Sequence, residues 1–530
     1  MKLPITLIFL CLLSSACGTK EKNATAIIPA PSIVETSSGD AFQLLDNTKI
    51  VISDPQDAEL EFIAEQLREF VKLEVGLDVT LSTVADKDTS VGFIHINLDE
   101  KFDDSYEYSL EVNDKKIVVT ANNHQGLFYG MQSLKQLMLT RNELGISPVT
   151  LQDKARFEYR GMLLDVSRHF FPKEGVKRFI DLMAMYKLNT LHWHLTDDQG
   201  WRIEIKQYPL LTDIGSYRVE TQKAKHVDPF IGDGIAHQGF YNQDDIREIV
   251  AYAKARYITI IPEIDMPGHM QAALAAYPHL ACTNGPFSVS TRWGIHSDIL
   301  CPYDETFRFI ENVLTEVMSL FPSRYIHIGG DEVPLIRWQQ SEDAKQVMLN
   351  NNLESVEELH GYFYQRVADF LKVNDREAIG WDEIQDKGIT ANTTIMAWQS
   401  EERSRMAIQN GNQTIIALRE STYFNYYQGN HDSEPLAQCC LITLKDAYNF
   451  DPMPEGLSIE QKTLVLGAQG NMWTEYISTQ AYLEYMLMPR MLAFSETVWS
   501  KSDSKNWSSF EERLSVHFPL LDKLDVNYKK

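Results

Sequence analysis

A chain of 530 residues is too long for one ordinary core, so two or more domains are expected. Its 44% apolar and 11% aromatic content is globular rather than disordered, and a formal charge of −25 argues against a nucleic-acid partner, which would want a basic face. A neutral or weakly charged ligand suits such a surface, although charge alone names no substrate.

The chain opens with Lys2 and an apolar run from Leu3 to Leu13, followed by Ser14-Ser15-Ala16-Cys17. The run is too short to span a bilayer, so residues 1–17 read as a targeting segment outside the fold. Small residues before a cysteine resemble a bacterial lipoprotein signal, cleaved before Cys17 with lipid on its sulfur. Ser14 departs from that pattern, which prefers leucine there, and an ordinary secretory signal is the alternative. Residues 18–38, rich in Lys, Glu, Thr, Ala and Pro, read as a tether. The expected location is exported and anchored, at the outer membrane or periplasm or on a bacterial cell surface.

Residues 39–152 read as a small α+β unit. Phe62 to Val75 has helical spacing, residues 109–112 and 116–120 form a hairpin around Asn113-Asp114, and a helix follows from Gln125 to Leu139. Residues 153–530 alternate strands with helices. The strands are expected at 161–165, 190–195, 257–263, 325–328, 378–381, 394–398, 414–418 and 464–468, with helices at 173–185, 244–255, 307–321 and 356–372. Eight strands so spaced fit a (β/α)₈ barrel with long loops. A doubly wound open sheet competes, but no glycine-rich phosphate loop opens its first crossover.

Polar and aromatic residues gather where these strands end. Asp197-Asp198 follow the second, Glu263 and Asp265 the third, Trp381-Asp382-Glu383 the fifth and Trp398 the sixth. Tyr423 and Asn425 follow the seventh, and Trp473 and Glu475 the eighth. In a barrel these ends share the face that carries active sites. Three tryptophans among carboxylates suit a sugar ring, whose apolar face stacks on indole while its hydroxyls need hydrogen bonds. After the fourth strand, His327-Ile328-Gly329-Gly330 ends in the adjacent carboxylates Asp331 and Glu332. Crowding two anions raises one of them, which can then donate a proton near neutral pH.

Of six cysteines, Cys11 leaves with the signal and Cys17 would carry lipid. Cys282 and Cys301 bracket a loop and can pair in an oxidising compartment, whereas adjacent Cys439-Cys440 could hardly pair without strain. No CxxC spacing and no His-x-x-x-His pair is present, so neither a metal nor another cofactor is expected.

Five motifs taken together resemble glycoside hydrolase family 20, the β-N-acetylhexosaminidases. They are Arg160 through His169, Leu191-His192-Trp193-His194-Leu195-Thr196-Asp197-Asp198, Pro262 through His269, His327 through Glu332, and Gly467 through Glu475. The resemblance implies an exo-acting hydrolase releasing terminal N-acetylhexosamine, GlcNAc or GalNAc, from glycans or chitooligosaccharides. It also implies substrate-assisted catalysis, in which the 2-acetamido oxygen is the nucleophile and an oxazolinium forms. Asp331 would hold the acetamido N–H, and Glu332 would protonate the leaving oxygen and then deprotonate water. Arg160 resembles the arginine that grips the 3- and 4-hydroxyls, although it precedes the first strand, so that strand must start earlier or Arg160 must reach upward. Asp197 and His269 would form the polar shell around the acid, with Asp265 orienting His269. Trp381, Trp398 and Trp473 would wall the pocket, Tyr423 would bond the acetamido oxygen, and Glu475 the 4- and 6-hydroxyls. Asn425 stands where many relatives carry Asp, near the sugar's 6-position; it either removes a repulsion toward a 6-sulfate or bonds the same hydroxyl. Two other readings stay open: lacto-N-biosidase-like release of a disaccharide, and a sugar-binding lipoprotein without chemistry.

Overall fold

The computed structural model of the protein describes residues 25–83, 92–99, 107–140, 145–225, 228–387 and 393–530. The expected signal at 1–17, and the start of the tether, lie outside them.

The first domain is a seven-stranded sheet under two helices. Its strands are β1 (Ile33–Thr36), β2 (Lys49–Ile52), β3 (Thr80–Thr83), β4 (Phe93–Leu98), β5 (Tyr108–Val112), β6 (Lys116–Ala121) and β7 (Val149–Asp153), in the order β1-β7-β5-β6-β4-β2-β3. The predicted hairpin is β5–β6, and alternate residues of both strands are buried, as period-two patterning requires. Helix α1 (Ala58–Phe70) starts where the Asp57 carboxylate accepts from the Glu59 and Leu60 amides. Helix α2 (His124–Leu139) is buried on nearly all faces, because it lies between its own sheet and the next domain, where Phe128 meets Tyr257 and Tyr129 meets Trp499.

The tether expectation needs correcting over its described part. Ala26, Ile27 and Ile28 are buried, Arg513 donates to the Ile27 carbonyl at 2.9 Å, and the Ala30 amide donates to Glu496 at 2.9 Å. Strand β1 then pairs antiparallel with β7. A short apolar stretch with buried polar partners folds whatever the polarity around it, so the first domain begins before residue 39.

The second domain is a closed parallel barrel: β8 (Tyr159–Asp165), β9 (Thr190–His194), β10 (Thr259–Glu263), β11 (Tyr325–His327), β12 (Glu377–Trp381), β13 (Thr394–Ala397), β14 (Thr414–Ile416) and β15 (Val465–Met472). Helices α3 (Lys173–Met185), α4 (Gln243–Lys254), α5 (Asp304–Leu320) and α6 (Val356–Val373) surround it, each within a few residues of the predicted stretch. Register sets one level of polar residues at the strands' C-terminal ends: Asp165 pairs with His194, His194 with Glu263, and Glu263 with His327. The barrel's other end sits on the first domain. There Lys187 donates to Tyr108 and to Asp153, at 2.8 and 3.1 Å, and Trp499 donates to the same Asp153 at 3.0 Å.

Both described cysteine pairs are bonded. Cys282 and Cys301 pair as the loop spacing allowed, with Cα atoms 4.9 Å apart. Cys439 and Cys440 are also joined, contrary to expectation. They form a bulge of two extra residues, since Tyr426 pairs with Gln438 and Tyr427 with Leu441, and this kinked backbone brings neighbouring thiols together.

Candidate active site

The Asp331–Glu332 pair is held by a turn that only glycine permits. Gly329 and Gly330 have φ of +68° and +105°, and a Cβ on Gly329 would lie 1.6 Å from Asp265 Oδ1. The freed space lets the Gly330 amide donate to that oxygen at 3.2 Å, while Tyr364 on α6 donates to the Gly330 carbonyl at 3.3 Å. Glu332 and His269 themselves adopt left-handed φ of +51° and +52°. Each such residue costs roughly 1–3 kcal/mol, which the surrounding bonds must offset.

From this turn a chain of charges runs down the barrel. His269 Nε2 lies 3.7 Å from both Asp331 Oδ2 and Glu332 Oε2. Its Nδ1 lies 3.2 Å from Asp197 Oδ1 and 3.3 Å from Asp198 Oδ2. Asp197 Oδ2 meets Arg168 at 2.7 Å and His194 at 2.8 Å. His194 Nδ1 bonds Glu263, on which His192, His327 and the Trp381 indole also converge at 3.0, 2.9 and 2.9 Å. The orienter of His269 is therefore Asp197 rather than Asp265. The segment from Asp265 to His269 is not helical, so Asp265 turns to the glycine amide instead.

These contacts set the protonation states. Burial alone would lower His269, but Asp197, Asp198 and Asp331 hold it well above the usual histidine range. His194, between two carboxylates, is raised in the same way. Asp197 stays far below the carboxylate range despite its burial, because Arg168 and His269 favour its anion. Burial raises Asp331, an effect that His269 opposes and Glu263 reinforces. Glu332 is raised by desolvation and then by Asp331, while its side chain remains 38% exposed toward the cleft. One carboxyl buried beside a cation and a second open to ligand suit a stabilising anion and a proton donor.

The opposite wall is aromatic. Tyr423 lies between Trp398 and Trp473, with ring centroids 6.2 and 6.4 Å apart. The Arg168 guanidinium sits 5.0 Å over the Trp473 ring. Trp381 is only 1% exposed and ties its indole to Glu263, so it forms the floor rather than a wall. The Gln438 backbone amide donates to the Asn425 backbone carbonyl at 3.1 Å, and the Gln438 side chain donates to Glu475 at 3.4 Å. Burial raises Glu475, and Arg168 counters that. Several buried polar atoms here make no hydrogen bond among the described residues, including Asp331 Oδ1, His269 Nε2 and Asn425 Oδ1. Polar atoms left open in a cleft are where a hydroxylated ligand bonds.

Arg160 is the one predicted site residue placed elsewhere. Strand β8 does start before it, yet the side chain points to the barrel's lower end, fully buried. It donates to the carbonyls of Phe157 and Lys187 at 2.6 and 3.0 Å and to Tyr129 at 2.7 Å. Arg168, just past the same strand, occupies the place expected of it. The sequence motifs contain Asp165 and His194, and the strand ends Glu383, but the sequence alone gives none of the three a role. Asp165 accepts from the Ser167, Arg168 and Thr474 amides and so joins the first and last strand ends. Among the described residues three groups of donors lie within 4.8 Å of one another: His192-Glu263-His327, Asp197-Asp198-His269 and Asp265-His269-Asp331. In the first, two histidines share the Glu263 carboxylate, and burial lowers His192 to about 4; in the other two His269 already faces carboxylates as an ion-pair partner.

Comparison with known proteins agrees with this geometry. The family model described as glycosyl hydrolase family 20, catalytic domain, matches residues 157–502, and that described as glycosyl hydrolase family 20, domain 2, matches residues 24–154. A β-hexosaminidase of Porphyromonas gingivalis is 39% identical over 98% of this chain and 67% of its own length. One from Vibrio furnissii is 37% identical over 74% of this chain and 65% of its own. The chain thus spans about two-thirds of these relatives. The crystal structure of an exo-β-N-acetylglucosaminidase from Vibrio harveyi, in complex with N-acetylglucosamine, superposes with a TM-score of 0.84 at 30% identity, covering 96% of this chain and 79% of the other.

Proposed function

The chain belongs to glycosyl hydrolase family 20, and on that premise we propose that it is an exo-β-N-acetylhexosaminidase whose substrate supplies the nucleophile. One observation carries the mechanism. Asp331 and Glu332 are neighbours on one turn and meet the same His269 nitrogen at 3.7 Å. A nucleophile and an acid must flank the anomeric carbon from opposite faces, ~5 Å apart, and neighbours on one turn do not. With an acetamido oxygen attacking from within the sugar, both carboxyls act from one side. Asp331 receives the acetamido N–H and stabilises its developing positive charge; Glu332 protonates the leaving oxygen and then takes a proton from water. Tyr423 aims the acetamido oxygen, with Trp398 and Trp473 confining its methyl group. Arg168, Asn425 and Glu475 bond the ring's remaining hydroxyls.

Glycans or chitooligosaccharides ending in N-acetylhexosamine are the substrate class. The run ending at Cys17 supports export as a lipoprotein, with the catalytic domain held near a membrane by lipid. Labelling with a radioactive fatty acid, lost in Cys17→Ser, tests that anchor. For the activity, the protein should release 4-nitrophenol from the N-acetyl-β-glucosaminide and leave the plain β-glucoside intact. A thiazoline mimic of the oxazolinium should inhibit tightly. Binding without release would favour the sugar-binding lipoprotein, and release only from the 4-nitrophenyl glycoside of a disaccharide the lacto-N-biosidase reading. A trapped glycosyl-enzyme ester would overturn the internal nucleophile.

A further inference from the structure

Of the three indoles around the pocket, Trp381 and Trp473 are buried, whereas Trp398 is partly exposed. Its ring lies 23° from parallel with Tyr423 on one side, and the Arg419 guanidinium sits 5.5 Å from it. Two consecutive residues at the end of β12 hold it, and they divide the work. Asp382 holds the backbone, its Oδ2 accepting from the Trp398 and Gln399 amides at 3.0 and 3.1 Å. Glu383 holds the side chain, its Oε2 accepting from the indole Nε1 at 3.0 Å. An indole without its N–H bond retains freedom at both χ angles, and a wall that moves by an ångström no longer defines a pocket.

We propose that Glu383 is a positioning residue that pins the Trp398 indole and thereby sets which 2-N-acyl group the enzyme accepts. This rests on the hydrolase reading above, since it assigns Trp398 to the acyl pocket. Glu383 acts through the indole and need not touch the sugar. Burial and the charges of Asp331 and Asp382 push its carboxyl up to about 9, so it is neutral at pH 7 and still offers an acceptor oxygen. Glutamine copies both properties; leucine copies only the volume.

The test compares kcat and KM on the 4-nitrophenyl N-acetyl and N-propionyl β-glucosaminides for wild type, Glu383→Gln, Glu383→Leu and Trp398→Phe. Glu383→Leu should lower kcat on the N-acetyl substrate by roughly tenfold and raise the N-propionyl to N-acetyl ratio of kcat/KM by a similar factor. Glu383→Gln should stay within about threefold of wild type on both measures, because the neutral acceptor is preserved. Trp398→Phe deletes the same bond from the other partner, so combining it with Glu383→Leu should add little further change. If the leucine variant does not fold, the phenylalanine variant carries the test alone. An unchanged acyl ratio in both Glu383→Leu and Trp398→Phe, or a glutamine variant as impaired as the leucine one, overturns the proposal. A wild type inactive on the N-acetyl substrate would instead overturn the hydrolase reading.

Discussion

The two ends of strand β8 each carry an arginine, and the two live in buried charge networks of opposite purpose. At the lower end Arg160, Lys187 and Asp153 join the barrel to the first domain, and the guanidinium, ammonium and carboxylate all find partners. At the upper end Asp197, His194 and His269 are buried too and the Arg168 side chain is 13% exposed, yet Asp331 Oδ1 and His269 Nε2 make no hydrogen bond among the described residues. Burial marks both regions, and each holds a group with a displaced pKa, Lys187 lowered below its usual range and His269 raised above its own. What separates these two regions is the polar atom left open beside a cleft that a ligand can enter.

The strongest way to break that contrast is at the open end. Glu332→Gln keeps volume and removes the proton, so turnover on natural glycosides should fall by about 10²-fold or more, and far less on substrates with very good leaving groups. Near-normal turnover of chitobiose by this variant would mean that the open atoms do not mark the chemistry.

Next comes the arginine pair itself. Arg168→Lys keeps the positive charge beside Asp197 but loses the two-pronged fork, so kcat/KM should fall by ~10–10²-fold with the thermal midpoint nearly unmoved. Arg160→Lys should do the reverse. It removes the donors to the Phe157 and Lys187 carbonyls and one of the bonds to the Tyr129 hydroxyl, at a cost of a few kcal/mol and a midpoint lower by several degrees. Activity per folded molecule should stay within about twofold of wild type. Differential scanning fluorimetry with steady-state kinetics reads both, and a shared phenotype would collapse the distinction.

This pair also shows what the sequence makes legible. Eight strands, the helices between them and the convergence of carboxylates at strand ends follow from periodicity alone, and Asp197, His269, Asp331, Glu332, Trp398, Tyr423, Asn425, Trp473 and Glu475 all gather at that face. Arg160 was misplaced because the motif spans a whole strand with an arginine at each end, and strand direction decides which one reaches the site. That direction was readable: the site lies beyond the strand, as Arg168 does. The hub was less readable, since Glu263 meets His194 and His327 only through the register of neighbouring strands, which one strand's sequence does not contain. Nor does local composition reveal that Ile27 is claimed by Arg513 and Ile28 by Gln136 on α2.

A milder perturbation moves charge at the upper end while leaving the catalytic carboxyls in place. His269⁺ favours the anions of Asp331 and Glu332. His269→Asn removes that cation, so both carboxyls should titrate higher. The acid form of Glu332 then persists to higher pH, and the alkaline limb of kcat/KM should move up by about one unit, although the plateau falls. The acid limb, where Asp331 must be ionised, should move up as well. A profile that only scales down would show that His269 positions the pair without tuning it. Arg160→Lys, at the other end, should leave both limbs where they are.

The smallest effect is expected at Asn425, whose buried Oδ1 is open like that of Asp331 but lies on the aromatic side. If it faces the sugar's 6-position, Asn425→Asp places an anion against a 6-sulfate. Two unit charges ~5 Å apart at an effective dielectric of 20 repel by ~3 kcal/mol, and that is a ceiling. Asn425 is only 3% exposed. Burial would drive a carboxyl in its place toward the neutral form, so much of the new charge would be lost. The variant should therefore lose roughly tenfold on 6-sulfated N-acetylglucosaminide and only about twofold on the neutral sugar, with the difference widening as pH rises and the new carboxyl ionises. Salt should narrow it only modestly, since a closed pocket is poorly screened. Equal losses on both substrates at every pH would leave Asn425 as a hydroxyl partner, and its open oxygen would then report a neutral contact rather than a charge filter.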